Sequence, residues 1–229
     1  MNHIKMLPLQ MSICNQKIDN LDIKIHYINI NKEFIEDYNI LVKDFCNSKD
    51  LNRLYKLICL NDRFQHLGST ILQKYIVMNS ILKNKEITYL DLSINRDAKP
   101  YIKLPNSEFF DYNVSHDKDL VVIASSNKYK IGIDIMSKDK EYELENISGL
   151  FSNQSEYSIN KLKLWTLIES YYKAIGIGIV YFNNRMIYFT EDKNKISIYD
   201  KRTDDLINNV IINSVEFNNY IISVCQILS

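Results

Sequence analysis

Residues 161–176, KLKLWTLIESYYKAIG, are the stretch from which the fold is read. Leu164, Leu167, Ile168, Tyr171 and Ile175 recur at the spacing of one helix face, and Gly176 supplies a stop. Trp165, Glu169 and Lys173 follow each other at i, i+4, i+8 and form a second stripe. Upstream, residues 119–125 and 129–136 read as apolar strands joined by a turn at Ser126-Asn127. Downstream, residues 185–227 read as three or four strands.

Toward the N-terminus the pattern is similar. Residues 7–15 and 22–29 alternate as strands, with a turn near Asn20. Residues 33–46 have helical spacing, 50–59 suit a short second helix, and 62–82 suit a long helix with one glycine inside it. Residues 86–94 alternate as a strand, and Asn95 to Asp111 is an irregular polar stretch. This order predicts an α+β protein of two halves, residues 1–120 and 121–229, each within the usual domain range.

Composition sets the outer bounds. The chain has 229 residues, 46% hydrophobic and 24% charged, which suits an ordinary globular protein. Lys plus Arg and Asp plus Glu both number 28, so no basic excess points to nucleic acid. Cys14, Cys46, Cys59 and Cys225 lack any zinc or CxxC spacing and read as buried free thiols of a reducing compartment. Residues 1–14 carry one lysine and no long apolar core, so no signal peptide is expected. No run approaches the ~18 apolar residues of a membrane span. A cytoplasmic protein is the expectation.

Three segments carry possible chemistry: Lys99-Pro100 followed by Asn113-Val114-Ser115-His116; Gly132-Ile133-Asp134-Ile135-Met136; and Trp165 through Ala174, with Gly176 and Gly178 after it. On a strand, Gly132, Asp134 and Met136 share one face. An acid in an apolar strand is costly to bury unless paired or metal-bound, and Gly132 allows something to approach the backbone. Each feature also has a purely structural reading. Asp134 can pair with a lysine or cap a turn. Glu169 and Lys173 can form a surface pair worth about 0.2–0.5 kcal/mol. His116 can serve local hydrogen bonding, and Lys99 can be a solvated lysine.

Taken together and in this order, the segments resemble the phosphopantetheinyl transferases of the surfactin-synthetase-activating type, over about residues 60–180. That family carries Gly-Lys-Pro, Asn-[Ile/Leu]-Ser-His, Gly-[Ile/Val]-Asp-[Ile/Val]-Glu and Trp-x-x-Lys-Glu-[Ser/Ala]-x-x-Lys. The resemblance implies two similar α/β subdomains related by a pseudo-two-fold axis, with coenzyme A in the cleft between them. It implies transfer of 4'-phosphopantetheine from coenzyme A to a serine of an apo acyl or peptidyl carrier protein, releasing adenosine 3',5'-bisphosphate. The carrier is usually acidic on its docking helix. A monomer is implied, with neither nucleic acid nor membrane as partner.

Position by position, Asp134 and Glu169 match metal ligands for Mg²⁺, with Mn²⁺ as the other option, and Glu169 also matches the proposed base. Lys173 and His116 match phosphate contacts that act in catalysis. Lys99 and Ser115 belong to segments that line coenzyme A. Arg53, Lys56 and Arg63 are candidates for its 3'-phosphate. The donor types fit, because Mg²⁺ takes one or two carboxylates together with substrate phosphates.

Three positions depart from the pattern. Met136 stands where a second acid is usual, and a thioether is a poor ligand for a hard cation. Ile168 replaces the lysine before Glu169, about 100° around the helix from it. Ala98 replaces the glycine before Lys99. These departures leave a second reading open: a non-catalytic relative that binds coenzyme A or a carrier protein.

Overall fold

The computed structural model describes residues 12–13, 23–77, 93–94, 99–101, 109–140, 159–177, 187–193 and 195–228. The chain divides into two compact units, each discontinuous in sequence. The first is Met1–Gln16, Lys24–Asp91 and His116–Ile123; the second is Lys17–Ile23, Leu92–Ser115 and Ala124–Ser229.

In the first unit, β1 (Ser12–Ile13) pairs antiparallel with β2 (Lys24–Asn29). Four helices follow: α1 (Lys32–Glu36), α2 (Tyr38–Phe45), α3 (Ser48–Leu54) and α4 (Leu60–Val77). The single helix expected over 33–46 is two helices. The chain turns at Asp37, which caps the end of α1 and the start of α2 with φ −85° and ψ 2°. Aspartate competes poorly for a helix interior and well for a terminus. The expected helix at 50–59 begins earlier and ends at Leu54, because Asn47 and Asp50 form a reciprocal capping box that starts it.

One buried ion pair ties these helices together. Lys74 on α4 has a side chain 0% exposed, is paired with Asp50, and donates to the Phe45 carbonyl at 2.6 Å. Asp50 also accepts from the Asn47 N–H at 3.1 Å, so the cap of α3 and the ammonium of α4 share one carboxylate. Leu41, Leu54, Leu67, Ile71, Leu72 and Ile76 of the same helices are fully buried.

The second unit holds β3 (Ser93–Ile94) paired with β4 (Pro100–Tyr101), and then β5 (Asp111–Asp117), β6 (Leu120–Ser126) and β7 (Lys130–Ser137). β5 and β6 each have residues in both units. The part of each in the first unit completes that unit's sheet in the order β1-β2-β6-β5. After β7 come α5 (Lys161–Ile175), β8 (Ile187–Asp192), β9 (Lys195–Asp200), β10 (Val210–Phe217) and β11 (Tyr220–Ile227). β10, β11 and β7 form an antiparallel sheet in that order, with Asp134 opposite Ser223 and Gly132 opposite Cys225. α5 packs on one face of this sheet. Its Leu164, Leu167, Ile168 and Tyr172 close a core with Ile187, Phe189, Ile196 and Ile198 of the β8–β9 hairpin. α5 begins on the side chain of Asn160 and ends at Gly176, whose φ of 79° suits glycine.

The mixed α/β class and the elements at 24–29, 120–126, 130–137 and 161–175 agree with expectation, and four strands fill 187–227. β5 was not expected as a strand. The expected strand residues 7–11, 14–15, 22 and 86–92, the helix end at 78–82, and Cys14, Ala98 and Gly178 lie outside the described residues. Of the cysteines expected to be buried, Cys225 is, whereas Cys46 is half-buried, its thiol pushed up to about 11 by burial, and Cys59 is exposed. Among the described residues, no helix is long and apolar enough to cross a membrane.

Removing one partner of a buried ion pair leaves the other charge uncompensated, at a cost of about 3–5 kcal/mol. Lys74→Met is therefore expected to lower the unfolding free energy by roughly that amount, and the double variant Lys74→Met/Asp50→Asn by less. Urea denaturation of both variants is the check.

Candidate functional site

The site starts from a missing side chain. A Cβ built on Gly132 would lie 2.0 Å from the Ser170 carbonyl oxygen and 2.5 Å from the Ala174 nitrogen. The backbone of α5 thus rests directly on β7 at this point, which only glycine allows. Two residues further along the same strand face is Asp134, and the Glu169–Lys173 stripe of α5 lies against it.

Four polar side chains converge there. Lys173 Nζ lies 2.6 Å from Asp134 Oδ1 and 3.3 Å from Glu169 Oε2. It also donates to Ser115 Oγ at 3.2 Å, and Ser115 Oγ in turn donates to Asp134 Oδ1 at 2.8 Å. Side-chain exposure rises from 7% at Asp134 through 19% at Glu169 to 28% at Lys173, so the cluster opens to solvent on its lysine side.

The charges act on one another strongly because they are half withdrawn from water. Burial first, and Asp134 second, push the Glu169 carboxyl above the usual carboxylate range, while Lys173 pulls it back. Burial works against the Lys173 charge, but Asp134 and then Glu169 outweigh it and hold the ammonium above its ordinary value. Two hard oxygen donors facing each other, with a cation already between them, are a donor set that fits Mg²⁺. Among the described residues, no group of three or more His, Cys, Asp or Glu gathers to hold a metal. A divalent ion here therefore depends on two protein carboxylates plus oxygens from water or substrate.

β5 fixes the strand that carries Asp134. Its alternating residues Asp111, Asn113 and Ser115 all turn to the edge of β7. Asp111 accepts from the Ile131 N–H at 2.7 Å and Asn113 accepts from the Ile133 N–H at 3.0 Å. Lys99 joins them, donating to Asp111 at 2.5 Å and to the Ile131 carbonyl at 2.8 Å. Burial lowers the Lys99 pKa and Asp111 opposes the shift. Below α5, Thr166 Oγ1 lies 2.7 Å from Ser223 Oγ, which donates to Ser214 Oγ at 3.0 Å, linking helix, β11 and β10.

The two departures in this unit are both apolar contacts. Met136 packs, as does Trp165, against the buried pair Leu162 and Ile221. Ile168 is 2% exposed in the core beneath the β8–β9 hairpin.

The first unit gathers its own cations. Burial first, then Arg53 and His116, disfavour protonation of His66, while Asp50 opposes them. Arg53, His66 and the exposed His116 therefore share one neighbourhood. Arg63 turns its Nε to the Leu57 carbonyl at 2.7 Å, and Lys56 is exposed. Sequence reasoning missed His66, although it sits one turn beyond Arg63 on a helix, and gave no role to Asp111 or Asn113.

The upward shift of Glu169 has a defined sign. Its stabilising share is full below the unfolded pKa and is lost as pH rises through the folded one. In the metal-free protein, Glu169→Gln is thus expected to melt above the parent at neutral pH, by about 2–4 °C for each kcal/mol of strain relieved. The gain should fade as pH falls below about 4. Melting curves from pH 4 to 8 measure it, and no gain at neutral pH contradicts the assignment.

Residues 35–128 match the family described as 4'-phosphopantetheinyl transferase, N-terminal. That region holds Arg53, Lys56, Arg63, Lys99, Ser115 and His116 and stops before Asp134. A phosphopantetheinyl transferase of a Thraustochytrium species is 24% identical over 161 residues, 61% of this chain and 55% of that protein's length. The 4'-phosphopantetheinyl transferase gsp of Aneurinibacillus migulanus is 27% identical over 174 residues, 71% of this chain and 68% of its own. The chain is thus similar to phosphopantetheinyl transferases over its N-terminal half and beyond, and its strand and helix bring the Asp134 and Glu169 motifs into one cluster.

Proposed function

We propose that the chain transfers the 4'-phosphopantetheine group of coenzyme A to a serine of an apo acyl or peptidyl carrier protein. The observation that carries this reading is the convergence of Asp134, Glu169 and Lys173 from a strand and a helix into one partly open cluster. Glu169, the more exposed of the two carboxylates, is suited to take the serine proton. As that proton leaves, the serine oxygen forms a bond to the phosphorus nearest the pantetheine. The bond from that phosphorus to the oxygen of the leaving adenosine 3',5'-bisphosphate breaks. Lys173 and His116 supply positive charge where negative charge develops.

Asp134 and Glu169 are the residues that would hold Mg²⁺ or Mn²⁺, which when bound neutralises charge on the pyrophosphate and orients it. Ser115 keeps one Asp134 oxygen engaged and the carboxylate oriented. Arg53 and His116, with His66 beside them, suit an anionic phosphate of coenzyme A, and Lys56 and Arg63 extend that basic surface. Lys99 and Ser115 complete the set proposed to contact coenzyme A. The pseudo-two-fold subdomain arrangement, a cytoplasmic location and a monomeric state belong to the same proposal.

The test is incubation with fluorescent coenzyme A, Mg²⁺ and a panel of apo carrier proteins. Covalent labelling of the carrier is expected. Glu169→Gln should reduce it by about 10²–10⁴-fold, the range of a lost general base. Coenzyme A binding with no label on any carrier favours the non-catalytic binder, and no binding removes both readings. Met136→Glu should preserve or strengthen the Mg²⁺ dependence. A folded but inactive Met136→Glu enzyme contradicts its place on the metal side of the strand.

A further inference from the structure

The Lys173 ammonium contacts both carboxylates proposed to hold a divalent ion. It touches one oxygen of Asp134 at 2.6 Å and one of Glu169 at 3.3 Å, and no other cation is near enough to bridge both among the described ion pairs. We infer that Lys173 is a built-in counter-cation of the metal-free site, which must leave before a divalent ion can bind and which is thereby freed for an anionic ligand. This rests on the proposed metal role of Asp134 and Glu169.

The backbone leaves little alternative. The contact of α5 with Gly132 fixes the helix on the strand, so the backbones that carry the two carboxylates cannot move apart to relieve their repulsion. The edge of β7 is held by Asp111 and Asn113, which prevents Asp134 from retreating. A pair of facing, largely buried carboxylates needs a cation between them or a proton on one of them. Lys173 provides the cation from a four-carbon stem with rotatable bonds. At 28% its side chain is the most exposed of the three, so its stem borders water, whereas the Asp134 side chain is 7% exposed. When the ammonium leaves, Ser115 still donates to Asp134 Oδ1, so the carboxylate keeps its orientation.

The inference separates two properties that a simple phosphate-binding lysine would not link. Lys173 should weaken metal binding in the absence of coenzyme A, and metal should expose Lys173. The experiment uses chelator-treated full-length protein and Mn²⁺ alone, with free Mn²⁺ followed by electron paramagnetic resonance. Lys173→Met is expected to bind one Mn²⁺ about tenfold more tightly than the parent, because the competing bridged state is gone. Equal or weaker binding by folded Lys173→Met overturns the inference, as does the absence of binding by both proteins.

A second measurement needs no variant. Acetylation of Lys173 in the parent protein, read by mass spectrometry, should rise several-fold on adding Mn²⁺ without coenzyme A. Unchanged labelling at a concentration where Mn²⁺ is bound overturns the inference even if Lys173→Met fails to fold. The two levels of interpretation remain distinguishable. Carrier labelling with an unresponsive Lys173 leaves the transferase reading standing without the counter-cation. A responsive Lys173 with no transfer to any carrier does the reverse.

Discussion

The contact on which the second unit depends is that of the α5 backbone with Gly132. Helices usually meet sheets through side chains, with about 10 Å between the layers. Here the Ser170 carbonyl and the Ala174 nitrogen would lie within 2.5 Å of any Cβ at position 132. That close approach does more than pack the core. It brings short-reaching groups on strand and helix within bonding distance, so that Asp134 meets Lys173 at 2.6 Å even though an aspartate has only one methylene. With any larger residue at position 132 the helix must lift, and the cluster loses the geometry from which its electrostatics follow.

Those electrostatics resolve an ambiguity in the sequence. Asp134 does pair with a lysine, and Glu169 and Lys173 do form an i,i+4 pair, as the purely structural readings have it. Each alone is ordinary. The difference is that both use the same lysine, in a setting withdrawn from water. An exposed helical pair contributes about 0.2–0.5 kcal/mol. A partly buried arrangement of two acids and one base is governed instead by desolvation and by repulsion between the acids. The raised Glu169 carboxyl is the visible result. Perturbed groups of this kind collect at functional sites, which is why the same side chains satisfy the structural and the chemical description.

What could be read in advance follows the range of the forces involved. Periodicity and turn residues are local, and they located α5, β7 and the strands of 187–227 within a few residues. β5 escaped because its inward residues Asp111, Asn113 and Ser115 are polar and look like a loop. The partners of Asp111 and Asn113 are backbone groups of β7 some 20 residues away, and that of Ser115 is the Asp134 side chain, which no local pattern announces. The break at Asp37 and the buried Lys74–Asp50 pair escaped for the same reason. Asp134, Glu169 and Lys173 were legible as motif members, but that one ammonium serves both acids became visible only once α5 was docked. His66 needed the fold of the first unit to place it near Arg53 and His116.

The two departures at Met136 and Ile168 point in one direction physically. One removes an acid and the other removes a base, so together they leave the local charge balance unchanged. Both replace a charge by apolar packing, Met136 against Leu162 and Ile221, and Ile168 against the core under the β8–β9 hairpin. Trp165 packs in both groups and joins them. The exchange therefore strengthens the anchoring of the first half of α5 without touching the side chains that meet at Asp134. A helix held this firmly at one end and by Gly132 near the other presents Glu169 and Lys173 from a rigid segment. A site with fewer charged groups can then still control the geometry of those it retains, because preorganisation depends on how well each group is held rather than on how many there are.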